Sequence, residues 1–257
     1  MRLHKGNGAM AGAEAGDLSA VDQRSDLPVR VASAVVMVAI AGVSLWIGGW
    51  LWSAFAVIVA AGVLWEWNGL VAAFEQRTVG RALWIAAGVI YVGVATLLIV
   101  VLRNLQSGAL PVLTIVAAVV ATDIGAYFAG RTIGGPKIAP RISPSKTWAG
   151  LGGGIVGASF ALLAVLWGRV SETGEAIAVA FAGGAVIAVV AQTGDFFESW
   201  MKRRAGVKDS SSLIPGHGGL FDRADGLIAV LFVIGIALLV SSASYLVWGG
   251  DMLPTPS

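Results

Sequence analysis

Seven apolar stretches dominate the chain, at residues 29–47, 50–66, 82–102, 109–130, 148–168, 176–194 and 226–248. An α-helix needs about 20 mainly apolar residues to cross the hydrocarbon core of a bilayer. The expected fold is therefore all-α: a polytopic integral membrane protein of about seven transmembrane helices, or nine if a re-entrant pair is hidden. The second stretch is short, and its end at Trp65, Glu66 and Trp67 reads as interfacial, because tryptophan favours the headgroup level. Composition agrees. Of 257 residues, 57% are hydrophobic and 12% charged, against about 25% charged in soluble domains, and the mean hydropathy is +0.82. The 35 glycines suit close helix packing in lipid. With no cysteine in the chain, disulfides, thiolate metal sites and cysteine nucleophiles are excluded. A formal charge of +2 gives no case for nucleic acid as a partner.

The distribution of charge is more informative than its sum. With the N-terminus in the cytoplasm and seven spans, all basic residues except Arg103 and Arg169 fall on the cytoplasmic side, as the positive-inside rule requires. Residues 1–27, rich in Gly, Ala and polar residues without an apolar period, read as a mobile cytoplasmic tail. Residues 28–108 form an N-terminal group of spans. Residues 109–257 form a catalytic region with two cytoplasmic loops, 131–147 and 195–225. Basic loops are ordinary topology determinants, but topology does not account for the acids, histidine and glycines mixed among these.

Asp195 sits at the end of span six, and Asp222 opens span seven. Asp225 lies one helical turn beyond Asp222, so the two carboxylates share a face. Asp123 lies inside span four, where an ionisable residue marks a functional site by default; an ion pair with Arg131 is the plainer alternative. Hard oxygen ligands without cysteine and with a single nearby histidine, His217, point to Mg²⁺, held by one or two carboxylates plus substrate phosphates. The surrounding cations then act as phosphate ligands, and Gly216, Gly218 and Gly219 permit close backbone approach. In the other loop, "KIAPRISPSKTWAG" offers Ser143, Ser145, Lys146 and Thr147 just before span five. Ser145 or Thr147 can cap that helix. Lys146 there is unfavourable to the helix dipole unless an anion joins it. Acids beside phosphate-binding cations suggest phosphoryl or nucleotidyl transfer.

"SWMKRRAGVKDSSSLIPGHGGLFDRAD", Ser199 to Asp225, closely resembles the signature of the phosphatidate cytidylyltransferases, or CDP-diacylglycerol synthases. The resemblance includes Ser199, Lys202, Arg203, Lys208, Asp209, Pro215, His217, Gly218, Gly219, Asp222, Arg223 and Asp225. Ala224 departs from it, being smaller than the expected bulky apolar residue. "TDIGAYFAGRTIGG" and "ISPSKTWAG" resemble earlier motifs of the same family in the same order, so the likeness spans about residues 120–230. It implies transfer of CMP from CTP to phosphatidic acid, with release of pyrophosphate, at the cytoplasmic face of a bacterial inner membrane. It also implies a homodimer.

On this reading Asp195 and Asp222 ligate the metal, and Asp123 and Asp225 support the site or a second cation. Lys146, Lys202, Lys208 and Arg223 hold phosphates, with Ser143, Ser145, Arg203, Gly218 and Gly219 lining the substrates. His217 bonds a phosphate or orients a carboxylate, and Asp209 orients Lys208 or joins the metal. Arg204 is a solvated or lipid-facing charge. Two other functions stay open: a CTP-dependent polyprenol or phytol kinase, and an ion-coupled transporter using Asp123 and Asp195.

Overall fold

The computed structural model describes residues 8–248 apart from 168–172. Seven helices follow one another: α1 (Gly8–Ile47), α2 (Gly49–Phe74), α3 (Thr78–Asn104), α4 (Leu110–Thr132), α5 (Trp148–Leu166), α6 (Thr173–Ala205) and α7 (Phe221–Trp248). Among the described residues all seven contain a stretch long and apolar enough to cross a membrane. The protein is an all-α, multi-span membrane protein, as its hydropathy predicts.

The helix ends differ from the sequence expectation in ways that matter for the site. α1 begins at Gly8, so the expected tail over 1–27 is helical from there onward, in keeping with its alanine content; residues 1–7 lie outside the described residues. α2 continues past Glu66 to Phe74. α6 continues eleven residues beyond 194, through Lys202, Arg203 and Arg204 in its last turn, where cations complement the helix dipole. The expected 195–225 loop is thus only 206–220, and Asp195, Lys202 and Arg203 are helical residues. The 131–147 loop holds an antiparallel hairpin, β1 (Lys137–Ala139) with β2 (Ser143–Thr147), in which Lys137 pairs with Thr147.

Two buried clusters hold the bundle together. One gathers α2, α3, α6 and α7 around Trp67, whose ring meets Trp84, Tyr91, Phe197 and Phe221 at centroid separations of 5.6–6.3 Å. Trp67 Nε1 donates to the Trp84 carbonyl at 2.9 Å, which satisfies the indole in an apolar setting. The other joins α4, α5, α6 and α7 through Ala118, Ala158, Ile187, Ala191 and Val230. Without a hydrophobic drive between helices in lipid, close backbone approach supplies the attraction. The α4–α5 contact shows it: a Cβ on Gly153 would lie 2.4 Å from the Gly125 carbonyl oxygen, and one on Gly125 2.2 Å from that of Gly153. Large apolar side chains such as Val38, Ile58, Phe160 and Val240 stay exposed on the bundle surface, where lipid would cover them.

Candidate active site

The site is built where α6 and α7 cross, beside the hairpin and the N-terminus of α5. Thr147 is the N-cap of α5, its side chain accepting from Gly150 N at 3.0 Å. That contact fixes the hairpin against the helix. The preceding residue, Lys146, consequently points at α6, and its Nζ pairs with Asp195 Oδ2. The anion that a lysine at this helix start requires is Asp195. Asp123 faces the same cavity of about 400 Å³, whose walls include Tyr127, Ser145, Lys146, Gln192 and Asp195. Arg131, which also lines the cavity, donates to Tyr127 Oη at 2.9 Å, and Asp123 interacts with Lys146 and Asp195. Helix α4 therefore brings Asp123 to the site.

Across the α6–α7 contact each acid stands beside a glycine of the facing helix. A Cβ on Gly226 would lie 3.2 Å from Asp195 Oδ1, and one on Gly194 2.7 Å from the Asp225 carbonyl oxygen. The Asp225 and Asp195 carboxyls meet there. One turn further along α6 a second group begins. Lys202 Nζ donates to Asp222 Oδ1 and to Glu198 Oε2, both at 2.7 Å. Asp222 Oδ2 accepts from Ser210 N at 2.9 Å, Ser210 Oγ at 3.0 Å and Gly219 N at 2.8 Å. Four carboxylates thus line one helix crossing, Asp195 and Glu198 on α6 and Asp222 and Asp225 on α7, with Lys146 and Lys202 between them.

The 206–220 loop folds back over this crossing. Gly216 and Gly218 adopt left-handed backbone angles (φ 75° and 80°), which glycine tolerates best, and Ile214 and Gly218 pair across the turn. His217 Nδ1 lies 2.9 Å from Ser33 Oγ on α1, while its carbonyl accepts from Arg223 Nε and Nη2 at 3.0 and 2.6 Å. Lys208 and Asp209 are exposed on the loop. Arg203 Nη1 reaches the Val207 carbonyl at 3.4 Å, and Arg204 stacks over Phe74 and Trp200. Ser143 and Ser145 are on β2, Ser145 facing the cavity. The structure thus brings Asp123, Lys146, Asp195 and Asp225 together. Lys202 and Asp222 stand next to them, Lys208, Asp209, His217, Gly218 and Gly219 are on the loop, Arg223 in the first turn of α7 bonds back to it, and Arg203 in the last turn of α6 lies at its edge.

The chain matches the cytidylyltransferase family over residues 68–241. That stretch carries the cavity, the four carboxylates and the loop. The chain belongs to the cytidylyltransferase family. Among its relatives, the phosphatidate cytidylyltransferase of Brucella suis is 33% identical, over 82% of this chain and 94% of its own length. That of Rickettsia bellii is 33% identical over 82% and 92%. A shorter match, to that of Pseudomonas aeruginosa, is 39% identical over 49% and 46%. Membership makes the protein a nucleotidyltransferase.

Two members of the site were not found in the sequence. Glu198 is three residues after Asp195 and four before Lys202, spacings that share a helix face; ending span six at 194 hid them. Glu66 is 1% exposed. It accepts from Ser210 Oγ, Ser211 Oγ, Leu220 N and Phe221 N at 2.6–2.9 Å, and so packs against the 206–220 loop and not at a membrane interface. No pattern in the sequence links α2 to residues 144 or more positions away.

Proposed function

We propose that the protein is a phosphatidate cytidylyltransferase whose α6–α7 crossing transfers CMP from CTP to phosphatidic acid. A phosphate oxygen of phosphatidate forms a bond to the α-phosphorus of CTP. The bond from that phosphorus to the oxygen bridging to the β-phosphate breaks, and pyrophosphate leaves with the electron pair. The attacking phosphate monoester has a second pKa of about 6 and is mostly dianionic at neutral pH, so no strong base is required. What has to be supplied is alignment of two anions and compensation of charge on the leaving group.

The single observation that carries this reading is the juxtaposition of four carboxylates and two lysines at one crossing within the family-matched segment. Four acids against two lysines leave the crossing short of positive charge. The Glu198 Oε1 atom is buried without a hydrogen-bond partner among the described residues. Both features suit a hard cation. Among the described residues no three or more Asp, Glu, His or Cys side chains are grouped so as to hold a metal ion by themselves, but Mg²⁺ is commonly held by one or two carboxylates together with substrate phosphates. Asp195 and Asp222 would hold it, and Asp123 and Asp225 would support Asp195 or a second cation. When bound, the ion supplies charge compensation and orientation for the triphosphate.

Lys146, Lys202, Lys208 and Arg223 bind phosphates in this reading, with Arg203 and Ser143, Ser145, Gly218 and Gly219 bordering the substrates. His217 and Asp209 order the loop around them. CTP comes from the cytoplasm and phosphatidate from the lipid leaflet, so the site faces the cytoplasm of a bacterial inner membrane. A homodimer is the expected assembly.

Purified protein given CTP, Mg²⁺ and phosphatidate should release pyrophosphate, and should release none when a polyprenol replaces phosphatidate. Product formed from the polyprenol alone would return the kinase reading. The orientation has its own test, simplified by the absence of native cysteine. Cysteines placed singly at Arg141, Ser212 and Ser257 should react with an impermeant maleimide in intact cells at Ser257 alone. Labelling of the Ser212 variant from outside contradicts a cytoplasmic site.

A further inference from the structure

We infer that Glu66 is a positioning residue for cytidylyl transfer, a buried carboxylate on α2 that fixes the 206–220 loop where it leads into Asp222. Its two oxygens are used symmetrically. Oε1 accepts from Ser211 Oγ at 2.6 Å and Leu220 N at 2.9 Å; Oε2 accepts from Ser210 Oγ at 2.9 Å and Phe221 N at 2.7 Å. Each oxygen thus takes one hydroxyl and one amide, which fills the acceptor sites of an ionised carboxylate. The hydroxyls belong to the interior of the loop and the amides to its exit into α7, so one side chain ties the two together.

The exit amides belong to the start of α7, where main-chain N–H groups have no partner within the helix and negative charge is favoured by the helix dipole. Ser210 also reaches Asp222 Oδ2, through its amide at 2.9 Å and its hydroxyl at 3.0 Å. That hydroxyl has one proton and lies between two carboxylates. Glu66 and Asp222 are therefore held in register through a shared residue. Space is equally restricted: a Cβ on Gly219 would lie 2.6 Å from both Glu66 oxygens. Glu66 precedes the family-matched segment, which begins at residue 68, and its hydrogen-bond partners Ser210, Ser211, Leu220 and Phe221 are none of the residues assigned to substrate.

The inference rests on the cytidylyl-transfer reading. It is tested with full-length protein in phosphatidate-containing micelles, measuring kcat, KM for CTP and the fraction of molecules that bind CTP. Glu66→Gln keeps the size but turns an NH₂ group toward donors. A misplacement of about 1 Å remote from the chemistry can cost about 10²-fold in rate. The expected result is a kcat per CTP-binding molecule lower by about that factor, with KM for CTP within threefold of wild type. Ser211→Ala removes one hydroxyl and leaves the carboxylate. It should lower kcat by about fivefold, on the scale of the net contribution of one typical hydrogen bond, and it decides the question should Glu66→Gln fail to insert. Unchanged kcat per binding molecule in either variant overturns the proposal, and so does a loss that merely tracks the fraction failing to bind CTP. Wild-type protein that forms no lipid product defeats the activity reading along with it; active wild type beside equally active variants defeats only the role of Glu66.

Discussion

Asp195→Asn is expected to lower turnover about 10²–10³-fold, the usual range for removing a preorganised electrostatic contact to a developing charge. The substitution preserves shape and so should leave insertion and purification unaffected. It deprives Lys146 of its ion-pair partner and takes one negative charge from the α6–α7 crossing. Asp222→Asn should behave alike, because Asp222 Oδ1 pairs with Lys202 and Oδ2 gathers three donors of the loop. If both carboxylates act through one ion, the double variant is little worse than either single one, and raising Mg²⁺ recovers part of the activity of each. Arg204→Ala, which only unstacks a cation from Phe74 and Trp200, should keep most activity. Near-normal turnover of Asp222→Asn at low Mg²⁺ would leave Asp222 as a loop anchor without a metal role.

The second large effect is steric. Gly153→Val puts side-chain atoms where a Cβ already meets the Gly125 carbonyl oxygen at 2.4 Å and Ala129 Cβ at 2.4 Å. The carbonyl is main chain and cannot rotate away, so α4 and α5 have to separate. Overpacking of this kind costs about 1–3 kcal/mol, and α4 carries Asp123 while α5 carries the Thr147 cap beside Lys146. We expect a lower melting temperature in detergent and an activity loss of about 10²-fold from the displaced pair. Gly152→Val is the matched control: nothing lies within 4 Å of its Cβ position, and it should melt and turn over like wild type. Equal behaviour of the two variants would contradict the close α4–α5 approach.

Much of this architecture was legible because lipid imposes a simple rule on sequence. Twenty apolar residues announce a span, and all seven expected spans are helices here. Their ends were less legible. A helix does not stop where the hydrocarbon does: α6 runs on through charged residues because Lys202, Arg203 and Arg204 suit a C-terminal turn. The overrun turns Asp195, Glu198 and Lys202 into one helix face. The hairpin at 137–147 was hidden because three- and five-residue strands containing Pro144 have no period to read.

The site divides along the same line. The local cluster of Asp222, Arg223 and Asp225 could be seen in the sequence, and the question left by Lys146, why a cation should begin a helix, was visible there too. Its answer, Asp195 at 49 residues' separation, was not. Glu66 was least legible of all. Flanked by two tryptophans, it looks like a residue of the membrane surface, and only the tertiary fold turns it inward under the loop.

The account's central claim is that the α-phosphorus of CTP, not the γ-phosphorus, is transferred to lipid at the α6–α7 crossing. It is tested most directly with CTP labelled separately at the α- and γ-phosphates, incubated with phosphatidate, Mg²⁺ and purified protein. The α label should enter the chloroform phase mole for mole with γ-labelled pyrophosphate in the aqueous phase, and both should fall together in Asp195→Asn. Appearance of the γ label in the lipid would contradict it, as would undiminished transfer by Asp195→Asn.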